Sequence, residues 1–197
     1  MRKYLGLTLL LLSLSVAALA ADEFKIDPNH SSVNFAVSHA GGISTVVGRF
    51  TSFEGKIAFD DKDVSKSSVS VNIKTGSINT DVPPRDNDLR SANYFDVEKF
   101  PEMTFQSKSI EKKGDGHVAH GTLTIKGVSR DVDLAFEFKG PVEAGQNRGK
   151  VLGAHASLTV SRLDFGVGKA TPMIGADVKI ELYVEARMAP PAPAQAK

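Results

Sequence analysis

The chain is 197 residues long, sets 24 Lys and Arg against 23 Asp and Glu for a formal charge of +1, and contains neither cysteine nor tryptophan. So even a balance argues against nucleic acid or an anionic membrane surface as the main partner. Without cysteine there are no disulfides, so packing alone must hold the fold together.

Met1 to about Ala20 has the three parts of a secretory signal peptide. Arg2 and Lys3 form the charged start, Leu5 to Leu14 the apolar middle, and Ala18-Leu19-Ala20 the small-residue exit. The apolar run is too short for a convincing membrane span, and a lipoprotein anchor would need a cysteine at the cleavage point. The expected division is a signal peptide over 1–21, one domain over 22–188 and a disordered Pro/Ala tail over 189–197. The mature protein is expected to be exported, most simply to the periplasm, without stable membrane insertion. Its formal charge falls to about −1 once Arg2 and Lys3 are lost.

From residue 33 an apolar–polar alternation of period two takes over, the signature of strands with one face buried. Val33, Phe35 and Val37 alternate with Asn34 and Ser38, and Phe53, Ile57 and Phe59 share a face with Gly55. Val69, Val71 and Ile73 follow. Over Val82 to Phe105 the alternation stops. Pro83 and Pro84 suit the first positions of a helix, Asp86 and Asp88 its first turn and Arg90 its end. Tyr94 and Phe95 follow on a short connector, and Pro101 restarts an extended run through Met103 and Phe105. Alternation then returns at Leu123 and Ile125, is clearest at Val132, Leu134, Phe136 and Phe138, and continues through Leu158 and Val160 to Val178, Ile180, Leu182 and Val184. Lys126-Gly127 and Lys113-Gly114-Asp115-Gly116 are turn sequences between strands.

Some eight one-sided strands of eight to twelve residues predict an all-β, antiparallel domain, either a sandwich or a barrel, and closure would remove exposed edges. An eight-stranded barrel is either filled by its own side chains or holds one ligand. Inward small residues (Gly55, Ala154, Ala156) and the lack of tryptophan tilt the balance toward a ligand. If the barrel is imperfectly closed, the regular last strand Val178 to Arg187 would pair with a second copy to give a homodimer.

The block R-D-x-x-L-R-S-A-x-Y-F-D-V-E-K-F-P-x-M-T-F, beginning at Arg85, resembles the signature of the YceI family, periplasmic lipocalin-like proteins that bind polyisoprenoids. The likeness extends to V-N-F-A-V-S-H (Val33 to His39), V-G-R-F (Val47 to Phe50) and G-T-L-T-I-K-G-V-S-R (Gly121 to Arg130). It implies an eight-stranded, up-and-down antiparallel lipocalin-like barrel with the helical excursion (about 82–100) at one mouth. It also implies a long isoprenoid lipid, a polyprenyl phosphate or quinone-type molecule, as partner. The inward residues expected along such a tail are Phe35, Val37, Phe53, Ile57, Phe59 and Val71 from the first half, then Phe105, Leu134, Phe136, Leu158, Ile180 and Leu182. At the mouth the head-group candidates are His39, Arg85, Arg90, Tyr94 and Phe95; guanidinium forks suit phosphate, although Asp86 and Arg90 at i, i+4 would equally pair with each other. Asp88 stands where family members often carry a histidine.

Nothing assembles into a catalytic set, and no cofactor or metal is expected. His117-x-x-His120 on a strand points to opposite faces, and His155 stands apart in the sequence. Asp60, Asp61 and Asp63 lack the glycine and distal glutamate of a calcium loop, and Asp164-Phe165-Gly166 lacks every other kinase element. A carrier of an isoprenoid lipid is the leading expectation. The alternatives are a stress-response interaction protein with a filled barrel or, behind both, a lipid-modifying enzyme.

Overall fold

The computed structural model describes residues 21–145 and 148–189; the expected signal segment and all but the first residue of the expected tail lie outside the described residues. Eleven strand segments form one antiparallel sheet. They are β1 (Asp22–Ile26), β2 (Ser32–His39), β3 (Ser44–Phe50), β4 (Phe53–Phe59), β5 (Ser68–Lys74), β6 (Ile78–Asn79), β7 (Glu102–Lys113), β8 (Gly116–Ile125), β9 (Val128–Glu143), β10 (Lys150–Ser161) and β11 (Ile174–Met188).

The pairings reduce these segments to eight staves. β1 and β2 both lie along β11, β4 pairs with β1 while β3 pairs with β2, and β5 pairs with β4 while β6 pairs with β3. The first three staves are thus single long strands, each broken once. After them β7 to β11 follow in sequence order, and β11 returns to β1 and β2, closing an up-and-down barrel. The breaks are local: Asp27 accepts from the Asn29 N–H at 3.0 Å to turn the chain between β1 and β2, and the Thr51 and Ser52 backbone bonds Ser77 and Lys74 between β3 and β4. Outside the broken region β7, β8 and β10 have the expected eight to twelve residues, while β9 with 16 and β11 with 15 run longer.

The hairpins follow turn chemistry. Lys126 (φ 50°) and Gly127 (φ 73°) both take positive φ, as a two-residue turn of type I′ requires, and they join Ile125 to its partner Val128. Because β11 is paired on both sides, it offers no free edge. The condition set for pairing that strand with a second copy, an imperfectly closed barrel, is not met.

One end of the barrel is plugged by Phe24, Ile26, Phe59, Leu152 and Ala186, with Phe24 and Ala186 fully buried and the Phe24 and Phe59 rings edge to face at 6.3 Å. Across the other end lies α1 (Pro83–Arg90), begun by its two prolines. Asp86 falls in its first turn and Arg90 in its last, whereas Asp88, expected in the first turn, sits beyond it. The connector after α1 packs down through Phe95, whose ring meets Phe50 edge to face at 5.7 Å.

Candidate functional site

Between the plug and α1 the barrel is hollow. A cavity of about 590 Å³ runs from Phe59 and Leu152 at the plugged end to Pro84, Arg85 and Leu89 under the helix. Its wall is almost wholly apolar because every second side chain of each stave points inward: Phe35 and Val37 from β2, Phe53, Ile57 and Phe59 from β4, and Val71 from β5. Phe105 from β7, Leu134 and Phe136 from β9, Leu158 from β10, and Ile180 and Leu182 from β11 complete the set expected from the sequence, and all of them line the cavity. The filled-barrel expectation does not match this interior.

The source of the space differs in part from the expectation. Gly55 leaves none, since a Cβ there would stand 2.6 Å from Ile26 Cδ1 and 2.7 Å from the Ser70 carbonyl oxygen. Ala154 and Ala156 do face the hollow.

At the mouth, His39, Arg85, Tyr94 and Phe95 line the cavity and Arg90 does not. The reason lies in the broken third stave. Where β6 ends, no strand pairs with its outer side, and α1 supplies side chains instead. Arg90 donates through Nε to the Gly76 carbonyl at 2.9 Å and through Nη2 to the Ile78 carbonyl at 2.6 Å. Asp86, only 6% exposed, accepts from the Thr80 N–H at 2.9 Å and the Thr80 hydroxyl at 2.5 Å. Arg85 donates through Nε to Thr80 Oγ1 at 2.7 Å and through Nη2 to the Thr80 carbonyl at 2.9 Å. Asp86 and Arg90, set for an i, i+4 pair, each hold the strand edge rather than one another. Lys126 ties the far side of the excursion down by donating to the Ala92 and Gly166 carbonyls at 3.3 and 3.1 Å.

Two charged lining residues, Arg162 and Asp88, were not among the site residues expected from the sequence. Arg162 is 7% exposed and donates to the carbonyls of Gly175, Val167, Lys169 and Ile174 at 2.8 to 3.1 Å, so it knots the β10–β11 loop at the mouth. Its only sequence signal is a cation directly after an inward-alternating strand. Asp88 lines the cavity three residues after Arg85, a spacing that puts both on one side of a helix.

The histidines do not converge. His117 turns inward, stacked on Phe136 at 5.4 Å and tilted against Phe138 at 5.1 Å, while His120 lies outside, with Nδ1 2.6 Å from Asp133 and Nε2 3.3 Å from Glu111. The Asp133 hydrogen bond, then that of Glu111, holds the His120 imidazolium above its ordinary value of 6.5. His155 stacks on Tyr183 at 4.7 Å. Asp60 and Asp63 cap their own turn, accepting from the backbone N–H groups of Lys62, Asp63 and Ser65 at 2.9 to 3.1 Å. Asp27, His30 and Glu185 come together near the plugged end, but Arg187 already reaches both carboxylates and supplies the positive charge that a metal would bring.

Comparison with known proteins accords with this architecture. The family model described as "YceI-like domain" matches residues 24–186. "Protein YceI" of Salmonella arizonae is 36% identical over 185 residues, covering 93% of this chain and 95% of that one. Among solved structures, the Campylobacter jejuni YCEI protein superposes with a TM-score of 0.67 at 34% identity, covering 74% of this chain and 86% of that chain. A polyisoprenoid binding domain from Saccharophagus degradans superposes with a TM-score of 0.61 over 85% of this chain and 99% of that one; at 14% identity it shares the fold. The chain belongs to the YceI family.

Proposed function

We propose that this YceI-family protein is an exported carrier that holds one long isoprenoid lipid in its barrel, tail inward and head at the α1 mouth. The observation that carries the reading is the hollow itself. At about 590 Å³ it falls within the range of ligand sites, it is closed at one end, and apolar side chains line it along its whole length. Ten methylene-sized units buried there would contribute about 8 kcal/mol before ordering costs. The polyisoprenoid-binding description of the Saccharophagus neighbour supports the ligand class. Export rests on the signal-like segment over 1–21. A carrier rather than an enzyme is favoured because Arg85, Arg90 and Arg162 at the mouth are tied to backbone carbonyls and the Thr80 hydroxyl, with no nucleophile and base brought together among the described residues.

The test is native mass spectrometry of the mature protein purified from its own host, followed by solvent extraction and mass measurement of what comes off. One isoprenoid molecule per chain is the expected result. Protein that is consistently empty, and that fails to take up added farnesol or a longer prenyl alcohol, would overturn the reading.

A further inference from the structure

The hollow stops at a double floor. Ile26, Phe59, Phe138 and Leu152 face it, with the Phe59 and Phe138 rings edge to face at 5.3 Å. Behind them Phe24 and Ala186 are 0% exposed and line no part of the hollow. Backbone ladders hold this floor: Leu152 pairs with Ala186, Ala186 with Ile26, and Phe24 with Ile57. At the other end α1 is held to β6 through the Arg90 side chain. A tail too long for the hollow therefore meets a fixed wall at its tip, and its surplus stays out at the mouth.

We infer that this floor is a tail-length ruler, and that it restricts the cargo to prenyl chains of about four isoprene units or fewer. The limit follows from volume. A methylene group takes up about as much room as a molecule of liquid water, about 30 Å³. The hollow of about 590 Å³ therefore houses roughly 20 carbons, or roughly four five-carbon units. Every carbon that enters leaves water and tightens binding, whereas every carbon beyond the limit remains outside and adds nothing. Ala154 stands one inward position above Leu152, paired with Phe138 on one side and Val184 on the other, so a larger side chain there would raise the floor. The inference rests on the lipid-carrier reading above and narrows its cargo by tail length.

The experiment uses the mature chain, delipidated, and prenyl alcohols presented from cyclodextrin: geraniol, farnesol, geranylgeraniol and the next two homologues. Neighbouring homologues compete in equimolar pairs, and native mass spectrometry reads the ratio bound. Up to geranylgeraniol each longer homologue should win about tenfold or more, a discounted share of what five buried carbons supply. Beyond geranylgeraniol the advantage should fall below about twofold. Ala154→Phe raises the floor by about one isoprene unit and should erase the advantage of geranylgeraniol over farnesol. Phe59→Ala lowers the floor and should carry the advantage one homologue further; if that variant does not fold, Ala154→Phe decides alone. In both variants farnesol should keep its wild-type lead over geraniol, whereas a merely loosened fold would weaken every homologue together. A wild-type advantage that keeps climbing past geranylgeraniol, or an Ala154→Phe series that breaks at the same homologue as the wild type, overturns the ruler while leaving the carrier reading standing. If no homologue binds the wild type, the carrier reading fails and the inference falls with it.

Discussion

Replacing Asp86 with alanine should loosen the helix that covers the mouth. The carboxylate is 6% exposed and takes two hydrogen bonds from one residue, the Thr80 N–H and hydroxyl. A hydrogen bond to a charged group contributes about 1.5–3 kcal/mol net, and a buried N–H left without an acceptor costs about 1–3 kcal/mol. Against this, alanine removes the cost of keeping a carboxylate out of water, which offsets part of the loss. The balance is a destabilisation of about 3 kcal/mol, a large share of the 5–15 kcal/mol typical of a domain. Asp86→Asn keeps an acceptor for the Thr80 N–H and should lose about half as much. Urea unfolding followed by far-ultraviolet circular dichroism would measure both variants. An alanine variant that loses under about 1 kcal/mol, or an asparagine variant as unstable as the alanine one, would refute the claim that this carboxylate fastens α1 to the strand edge.

Gly121→Ala should cost about 1–3 kcal/mol in the same assay; its Cβ would stand 2.6 Å from both the Gln106 carbonyl oxygen and the Phe105 ring, and the backbone oxygen has no room to yield. Leu134→Trp projects its ring into the hollow and should cost under about 1 kcal/mol while cutting lipid uptake, whereas a packed interior would lose 1–3 kcal/mol to overpacking. His120 gives a pH signature. Its folded pKa lies above the ordinary 6.5, so its contribution to stability is fully present below that value and is lost as pH rises through the folded pKa. His120→Gln should therefore lower the urea midpoint near pH ~5.5 and leave it unchanged near pH ~9, and a pH-independent difference would count against the Asp133 and Glu111 partnership.

The barrel was readable because its information is local and repeats. Val132, Leu134, Phe136 and Phe138 need no partner to declare a strand face, and Lys126-Gly127 declares its turn by itself. The breaks in the first three staves were not readable. Phe50-Thr51-Ser52-Phe53 has the composition of an ordinary strand end, and nothing in it says that the ladder changes partner there. The mouth divided along the same line. Tyr94 and Phe95 could be placed because large apolar groups beside a hollow have few other places to go. Arg90 could not, because its partners are carbonyls of Gly76 and Ile78, and a carbonyl carries no sequence signal. Arg162 was missed for the same reason. Gly55 read as empty space, although Ile26 from a neighbouring stave reaches over it.

Above Arg49 and Phe50, the outer side of β3 has no ladder partner, and beside it β6 is held to α1 by Arg90 side-chain bonds to the Gly76 and Ile78 carbonyls. A barrel zipped by backbone all the way round admits a chain-like molecule only end first. Here one panel is laced rather than welded. Untying a few side-chain knots would let a long flexible molecule be laid in sideways, with every ladder intact, and amide protons along the α1 panel should exchange with deuterium well before those of β8 to β10.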